Sequence, residues 1–155
     1  MISVVQRVSR AQVRVSGEVV GSIDAGLTIL VGVERGDTEA DADATARKLA
    51  ALRIFPGTHP MDRSVKDIGG GCLVVSQFTL AGSIRKGNRP GFDGAEAPAR
   101  AEALYERVAA QLRAEGLTVA TGRFAAMMDV ELVNDGPVTF VVVVRDGTVQ
   151  KTERT

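Results

Sequence analysis

The chain has 155 residues, 45% of them apolar and 25% charged. That balance excludes a disordered polymer, and the length suffices for one domain burying roughly two-thirds of its extended surface. Nineteen basic side chains cancel nineteen acidic ones. Capture of nucleic acid by bulk charge is thereby excluded: an RNA partner has to be gripped locally, and no DNA partner is expected.

One cysteine, Cys72, and one histidine, His59, are too few for a conventional structural zinc site in a single chain, which leaves carboxylates alone as a way to hold magnesium; the expectation is a protein with neither metal nor cofactor. A lone cysteine also rules out an intrachain disulfide and fits a reducing compartment. The apolar runs Leu27 to Val33 and Val138 to Val144 are too short to cross a bilayer. No basic segment leads into a signal-like apolar stretch, so the expected location is the cytoplasm, with no membrane partner.

In chain order, the first elements are short and alternating. Val4, Gln6 and Val8, then Val13 and Val15 against Gln12, Arg14 and Ser16, have the period of half-buried strands. Ser16-Gly17-Glu18 marks a hairpin turn. Leu27 to Val33 is nearly continuous and β-branched, as a strand covered on both faces is. Asp37-Thr38, with Asp41 three residues beyond Thr38, predicts a helix start. Ala42, Ala46, Leu49 and Leu52 form the stripe of a helix over 40 to 53, rich in small residues that let it sit close to a sheet. Pro56-Gly57-Thr58-His59-Pro60 reads as an exposed turn, and Gly69-Gly70-Gly71 as a tight connection.

A second apolar strand, Cys72 to Phe78, follows. Ser76-Gln77 interrupts its buried pattern just before Thr79-Leu80-Ala81-Gly82; the pair reads either as an internal hydrogen-bonding bridge or as a place where side chains and amides reach a cleft. Ile84 to Phe92 carries Arg85, Lys86 and Arg89, punctuated by Gly87 and Pro90. A second helix after Pro98 shows the stripe Ala101, Leu104, Tyr105, Val108 and Leu112, with Gly116 as its stop. Leu117 to Ala120, Met128 to Leu132 and Phe140 to Val144 read as strands, with Asn134-Asp135-Gly136-Pro137 between the last two. A hairpin loop there and a functional segment are both open readings. The fold class is α+β, a compact single domain over 1 to 145 with a polar tail over 146 to 155; the order lacks the regular alternation and phosphate loop of a doubly wound sheet.

The inventory for catalysis is thin: no histidine accompanies a serine, and no cysteine has a basic neighbour. Two segments stand out, Ser76-Gln77-Phe78-Thr79 at a strand exit and Asn134-Asp135-Gly136-Pro137-Val138-Thr139 at a strand entry. Together with Val5-Gln6-Arg7-Val8, Gly36-Asp37-Thr38, Arg85-Lys86-Gly87, Arg89-Pro90 and Thr121-Gly122-Arg123-Phe124, their order and spacing resemble those of the D-aminoacyl-tRNA deacylases, the D-tyrosyl-tRNA deacylase family, over residues 1 to 145. The chain departs from the family pattern at Ala81 to Ile84, Gly91, Ala125 and Met127.

The resemblance implies β-sheets closing into a partly barrel-like layer packed with two amphipathic helices. It also implies a homodimer with active sites at the interface, where a cis Gly136-Pro137 pair enters the partner's pocket. On this pattern its carbonyls exclude L-residues, admit D-residues and tolerate glycine. Ser76, Gln77, Phe78 and Thr79 are then catalytic with Gly136 and Pro137, the amides of Gln77 to Thr79 facing the oxyanion. The attacking group is a water assisted by a ribose hydroxyl rather than Thr79, whose hydroxyl has no base beside it. Arg7, Arg85, Lys86, Arg89, Phe124, Met128, Asn134 and Thr139 are expected to contact substrate or tRNA. Two rivals stand beside this reading: an editing hydrolase for L-aminoacyl-tRNA, and a non-catalytic module binding RNA or protein.

Overall fold

Residues 2 to 15 do not break into two short strands; they form one, β1 (Ile2–Val15). In the computed structural model, which describes residues 1–151, β1 is the spine of a mixed sheet. One edge is divided between β3 (Gly26–Gly32), paired with Ile2 to Val8, and β2 (Glu18–Ile23), paired with Ala11 to Val15. The other edge belongs to β6 (Asp129–Arg145). Beyond β3 the sheet continues in parallel through β4 (Gly71–Ser76) and β5 (Thr118–Thr121). It curls into a half-barrel with order β5-β4-β3-β1-β6-β7, and β2 branches from β1.

The alternation along β1 has the opposite parity to the expected one in its first half. Met1, Ser3, Val5 and Arg7 are buried while Val4 and Gln6 are only half-buried. The reason is that the helices cover the face carrying Val5. Helix α1 (Glu39–Ala51) buries Ala42, Ala46 and Leu49, and α2 (Pro98–Ala114) buries Leu104, Tyr105, Val108 and Leu112, in one core with Val5, Leu27, Ile29, Val31 and Val74. A smaller cluster of Val8, Ala11, Val13, Leu73 and Val75 fills the inner side of the curl. β3 is covered on both sides as its composition predicts.

The helix boundaries follow their caps. Asp41 accepts from the backbone N–H of Thr38 at 2.8 Å and from its hydroxyl at 3.2 Å, and α2 stops at Gly116, whose φ is +88°. No helix among the described residues is long and apolar enough to cross a membrane.

Past Arg145 the chain is not the frayed tail that its composition suggests. Asp146 and Gly147 turn into β7 (Thr148–Val149), which pairs with Val144 and Arg145, and Gly147 N–H donates to Asp41 Oδ1 at 2.8 Å. Residues 152 to 155 of that expected tail lie outside the described residues.

Candidate active site

β4 is buried up to Val75, and its polar end then turns outward. Gln77 N–H donates to the Val31 carbonyl at 2.8 Å, extending the parallel pairing by one residue, and Phe78–Ala81 forms a single 3-10 turn. The amides of Phe78 and Thr79 open that turn, and the first amides of a helical turn have no carbonyl within it to meet. Of the three amides expected to face an oxyanion, the one on Gln77 is therefore spent inside the sheet. The side-chain amide of Gln77 donates to Thr79 Oγ1, so the threonine hydroxyl is held as an acceptor. Ser76 and Gln77 are half-buried, and Phe78 and Thr79 are exposed.

Two buried groups at β4, Cys72 and Tyr105, are not poised for proton transfer. Burial pushes the Cys72 thiol up to about 12 and the Tyr105 phenol also up to about 12, so neither ionises near neutral pH. Tyr105 instead donates its hydroxyl to the Val74 carbonyl at 2.9 Å, pinning β4 just before its exit. His59 sits in an exposed turn, as predicted. Among the described residues no three His, Cys, Asp or Glu side chains cluster as metal ligands.

The segment following β5 comes to the same end of the sheet. Thr121 pairs with Val74, and Gly122 N–H donates to the Val74 carbonyl at 3.3 Å. Phe124 is half-buried, its ring 6.1 Å from that of Tyr105 and packed against the main core. Met128 is half-buried against the inner cluster. Both thus flank the exit of β4. The basic segment leaves from here too: Ser83 and Gly91 exchange backbone hydrogen bonds of 2.8 and 2.9 Å, closing an excursion that exposes Arg85, Lys86 and Arg89.

The second motif is neither a hairpin nor part of this end. β6 runs on through it, paired with β1 on both sides, but between the pairs Gln6–Thr139 and Val8–Asn134 the single residue Arg7 faces four residues, Asp135 to Val138. Such a bulge ejects backbone from the ladder. Asn134 clasps it by donating to the Val138 carbonyl at 3.0 Å and accepting from Val138 N–H at 2.9 Å. Asp135, Gly136 and Pro137 are exposed, and the Gly136–Pro137 bond is cis. A Cβ on Gly136 would lie 2.6 Å from Val138 Cγ2, so only glycine fits this path. Thr139, exposed, accepts from Gln6 Nε2 at 2.9 Å.

Arg7 is not available to an RNA phosphate. It is 8% exposed, and its guanidinium donates to the carbonyls of Asp135 at 2.8 Å and Ile54 at 2.7 Å. A charge on a strand reads as solvent-facing in the sequence, whereas here it props the bulge from beneath. Also unannounced by the sequence is the contact of Phe92 with Phe78, ring centres 5.1 Å apart; an aromatic residue next to the glycine that closes a basic excursion was the available signal.

Within one chain the two motifs do not meet. Ser76 is level with Val31, Ser3 and Val142, whereas Gly136 is level with Arg7. Counted along the sheet, they are separated by three strand spacings, about 14 Å, and by four residues along the strands, about 13 Å. A surface cavity of about 340 Å³ lined by Glu34, Arg35, Asp37, Asp41 and Arg145 shares no residue with either motif. Its carboxylates are occupied internally: the Met1 ammonium lies 2.7 Å from Asp37 and 3.1 Å from Glu34.

Residues 4–143 match the family model described as D-Tyr-tRNA(Tyr) deacylase. The chain is 57% identical over 141 residues to a protein of Symbiobacterium thermophilum named D-aminoacyl-tRNA deacylase, covering 90% of this chain and 93% of that one. A protein of the same name from Paracoccus denitrificans is 59% identical over 140 residues, covering 90% and 94%. Among solved structures, one named c-Myc DNA Unwinding Element Binding Protein superposes with a TM-score of 0.88 at 38% identity, over 94% of this chain and 99% of that one. Another, described as a probable eukaryotic D-amino acid tRNA deacylase, gives 0.75 over 90% and 97%; at 18% identity it speaks for the fold alone. Fold and relatives together define a hydrolase acting on tRNA esters. The chain belongs to the D-Tyr-tRNA(Tyr) deacylase family, and as an enzyme it is of the D-aminoacyl-tRNA deacylase kind.

Proposed function

We propose that the enzyme frees tRNA from D-amino acids as a homodimer whose two active sites lie at the subunit interface, each built from the Ser76 to Thr79 turn of one protomer and Gly136-Pro137 of the other. The observation carrying this reading is the separation of the two motifs within a single chain, with the second exposed on a bulge that Arg7 and Asn134 hold rigid. A second copy is the economical way for them to meet.

In this reading the carbonyls of Gly136 and Pro137 stand where the side chain of an L-residue would project. A D-residue directs its side chain away, and glycine has none to reject, so glycyl-tRNA is a further substrate. Water attacks the ester carbonyl carbon. The amides of Phe78 and Thr79 stabilise the oxyanion, a contribution worth on the order of 3 kcal/mol per donor. The neighbouring ribose hydroxyl relays the water's proton to the departing ribose oxygen, which leaves on the tRNA as the free acid forms. Gln77 orients Thr79 through their hydrogen bond, and Phe124 and Met128 line the site. Arg85, Lys86 and Arg89 hold acceptor-end phosphates. The work is done in the cytoplasm, without metal or cofactor.

Incubation with matched D- and L-tyrosyl-tRNA tests this. The expected result is rapid loss of the D-ester alone. Preferential loss of the L-ester would mark an editing hydrolase of the other hand, and an unchanged half-life of the D-ester would mark a non-catalytic module.

A further inference from the structure

Phe78 and Phe92 are 57% and 40% exposed, although large apolar rings gain most by burial. They touch at 58° to one another, an arrangement that leaves ring surface open on both. Phe92 is firmly seated: a Cβ on Gly82 would come within 2.9 Å of its Cε1, so the ring presses on the bare backbone of the 3-10 turn. Between Gly82 and Phe92 runs the excursion closed at Ser83 and Gly91. Among the described residues Arg85, Lys86 and Arg89 enter no ion pair, in contrast to Arg10, Arg14, Arg53 and Arg107. A fixed aromatic surface beside uncompensated cations is the pattern that grips single-stranded nucleic acid: rings take the bases and cations the phosphates.

We infer that Phe78 and Phe92 form a stacking platform for an unpaired nucleobase of the tRNA 3′ end, with Phe92 as a substrate-binding residue that the deacylation chemistry does not itself require. The inference rests on the proposed action on D-aminoacyl-tRNA. The platform sorts RNA by its unpaired end and is indifferent to the hand of the amino acid.

The test uses short RNAs ending in CCA, each with 2-aminopurine at one of the last three positions, titrated with the intact protein. Stacking quenches the fluorophore at one position with wild-type protein, and Phe92→Leu removes the quenching. In parallel, Phe92→Leu raises KM for D-tyrosyl-tRNA about tenfold with kcat within about twofold, while Phe92→Tyr, which keeps a ring, stays near wild type. A D-tyrosyl ester of adenosine alone identifies the base: KM raised equally assigns the terminal adenine, KM unchanged assigns a preceding cytosine. No quenching at any position with wild-type protein overturns the platform, whether or not the variants fold. So does an unchanged KM for both substrates in a folded Phe92→Leu. Either result leaves the deacylase reading intact, which falls only if wild-type protein spares D-tyrosyl-tRNA.

Discussion

Arg7 Nε donates to the main-chain carbonyl of Asp135 at 2.8 Å from a position almost wholly out of solvent. One buried cation therefore fixes the chain immediately before Gly136-Pro137, and its second bond to Ile54 ties the same point to the loop after α1.

Replacing Arg7 tests that support. Arg7→Ala leaves the buried Ile54 carbonyl and the part-buried Asp135 carbonyl without their donor and is expected to cost about 3 kcal/mol in urea unfolding. Misplacing the bulge by an ångström is expected to lower kcat/KM on D-tyrosyl-tRNA about a hundredfold. Arg7→Lys, with one compact ammonium for two diverging acceptors, falls between the two. Equal activity of all three proteins would show that the bulge keeps its place without Arg7.

Gly136→Ala places a methyl group against the Val138 side chain and amide. The bulge must shift, with a loss of stability of about 1 to 3 kcal/mol. If this loop reads chirality, the ratio of D- to L-tyrosyl-tRNA hydrolysis falls about tenfold or more, because the excluding carbonyls move with it. A ratio that stays constant while stability drops would locate chiral selection elsewhere.

Thr79→Ala separates water attack from attack by the protein. The Thr79 hydroxyl accepts a hydrogen bond from the Gln77 side-chain amide, a donor that cannot serve as its base. Its loss is expected to reduce kcat by about threefold or less. A true nucleophile would cost on the order of a millionfold. Single-turnover hydrolysis of D-tyrosyl-tRNA distinguishes the two, and rapid quenching would reveal any acyl-enzyme.

Asp41 governs part of the acid stability. Burial raises its pKa, but the N–H groups of Gly147 and Thr38 and the Thr38 hydroxyl outweigh it, leaving the carboxyl below its ordinary value of 3.8. A depressed native pKa means that the unfolded chain binds the proton more readily. This contribution is therefore full above the unfolded value and disappears as pH falls from 3.8 through the native value. Urea midpoints between pH 5 and pH 2, compared with Asp41→Asn, are expected to converge at the acid end.

Much of this molecule was written locally in its residues. Thr38 with Asp41 and the stop at Gly116 gave helix ends because capping is settled within a few residues, and β3 was evident from composition. The parity of β1 was not, since both faces of a curled sheet are partly covered and Val4 and Val5 are equally apolar. Nor was the bulge: Asn134 to Pro137 offers the same turn chemistry to a hairpin and to an interrupted strand, and the register of β1 decides. The Ser76 to Thr79 turn was legible as a polar break in an apolar strand. The burial of Arg7 depends on carbonyls 47 and 128 residues away, which no local pattern encodes.

The four-against-one mismatch opposite Arg7 also limits how this protein can drift in length. Deleting one residue from Asp135 to Val138 would either break the clasp between Asn134 and Val138 or slide the rest of β6, and an odd slip turns every following side chain to the opposite face, sending Val142 and Val144 out of the core. The excursion between Ser83 and Gly91 carries no such penalty, since its ends are stitched to each other. Relatives should therefore gain and lose residues there freely while keeping an invariant count between Asn134 and Thr139.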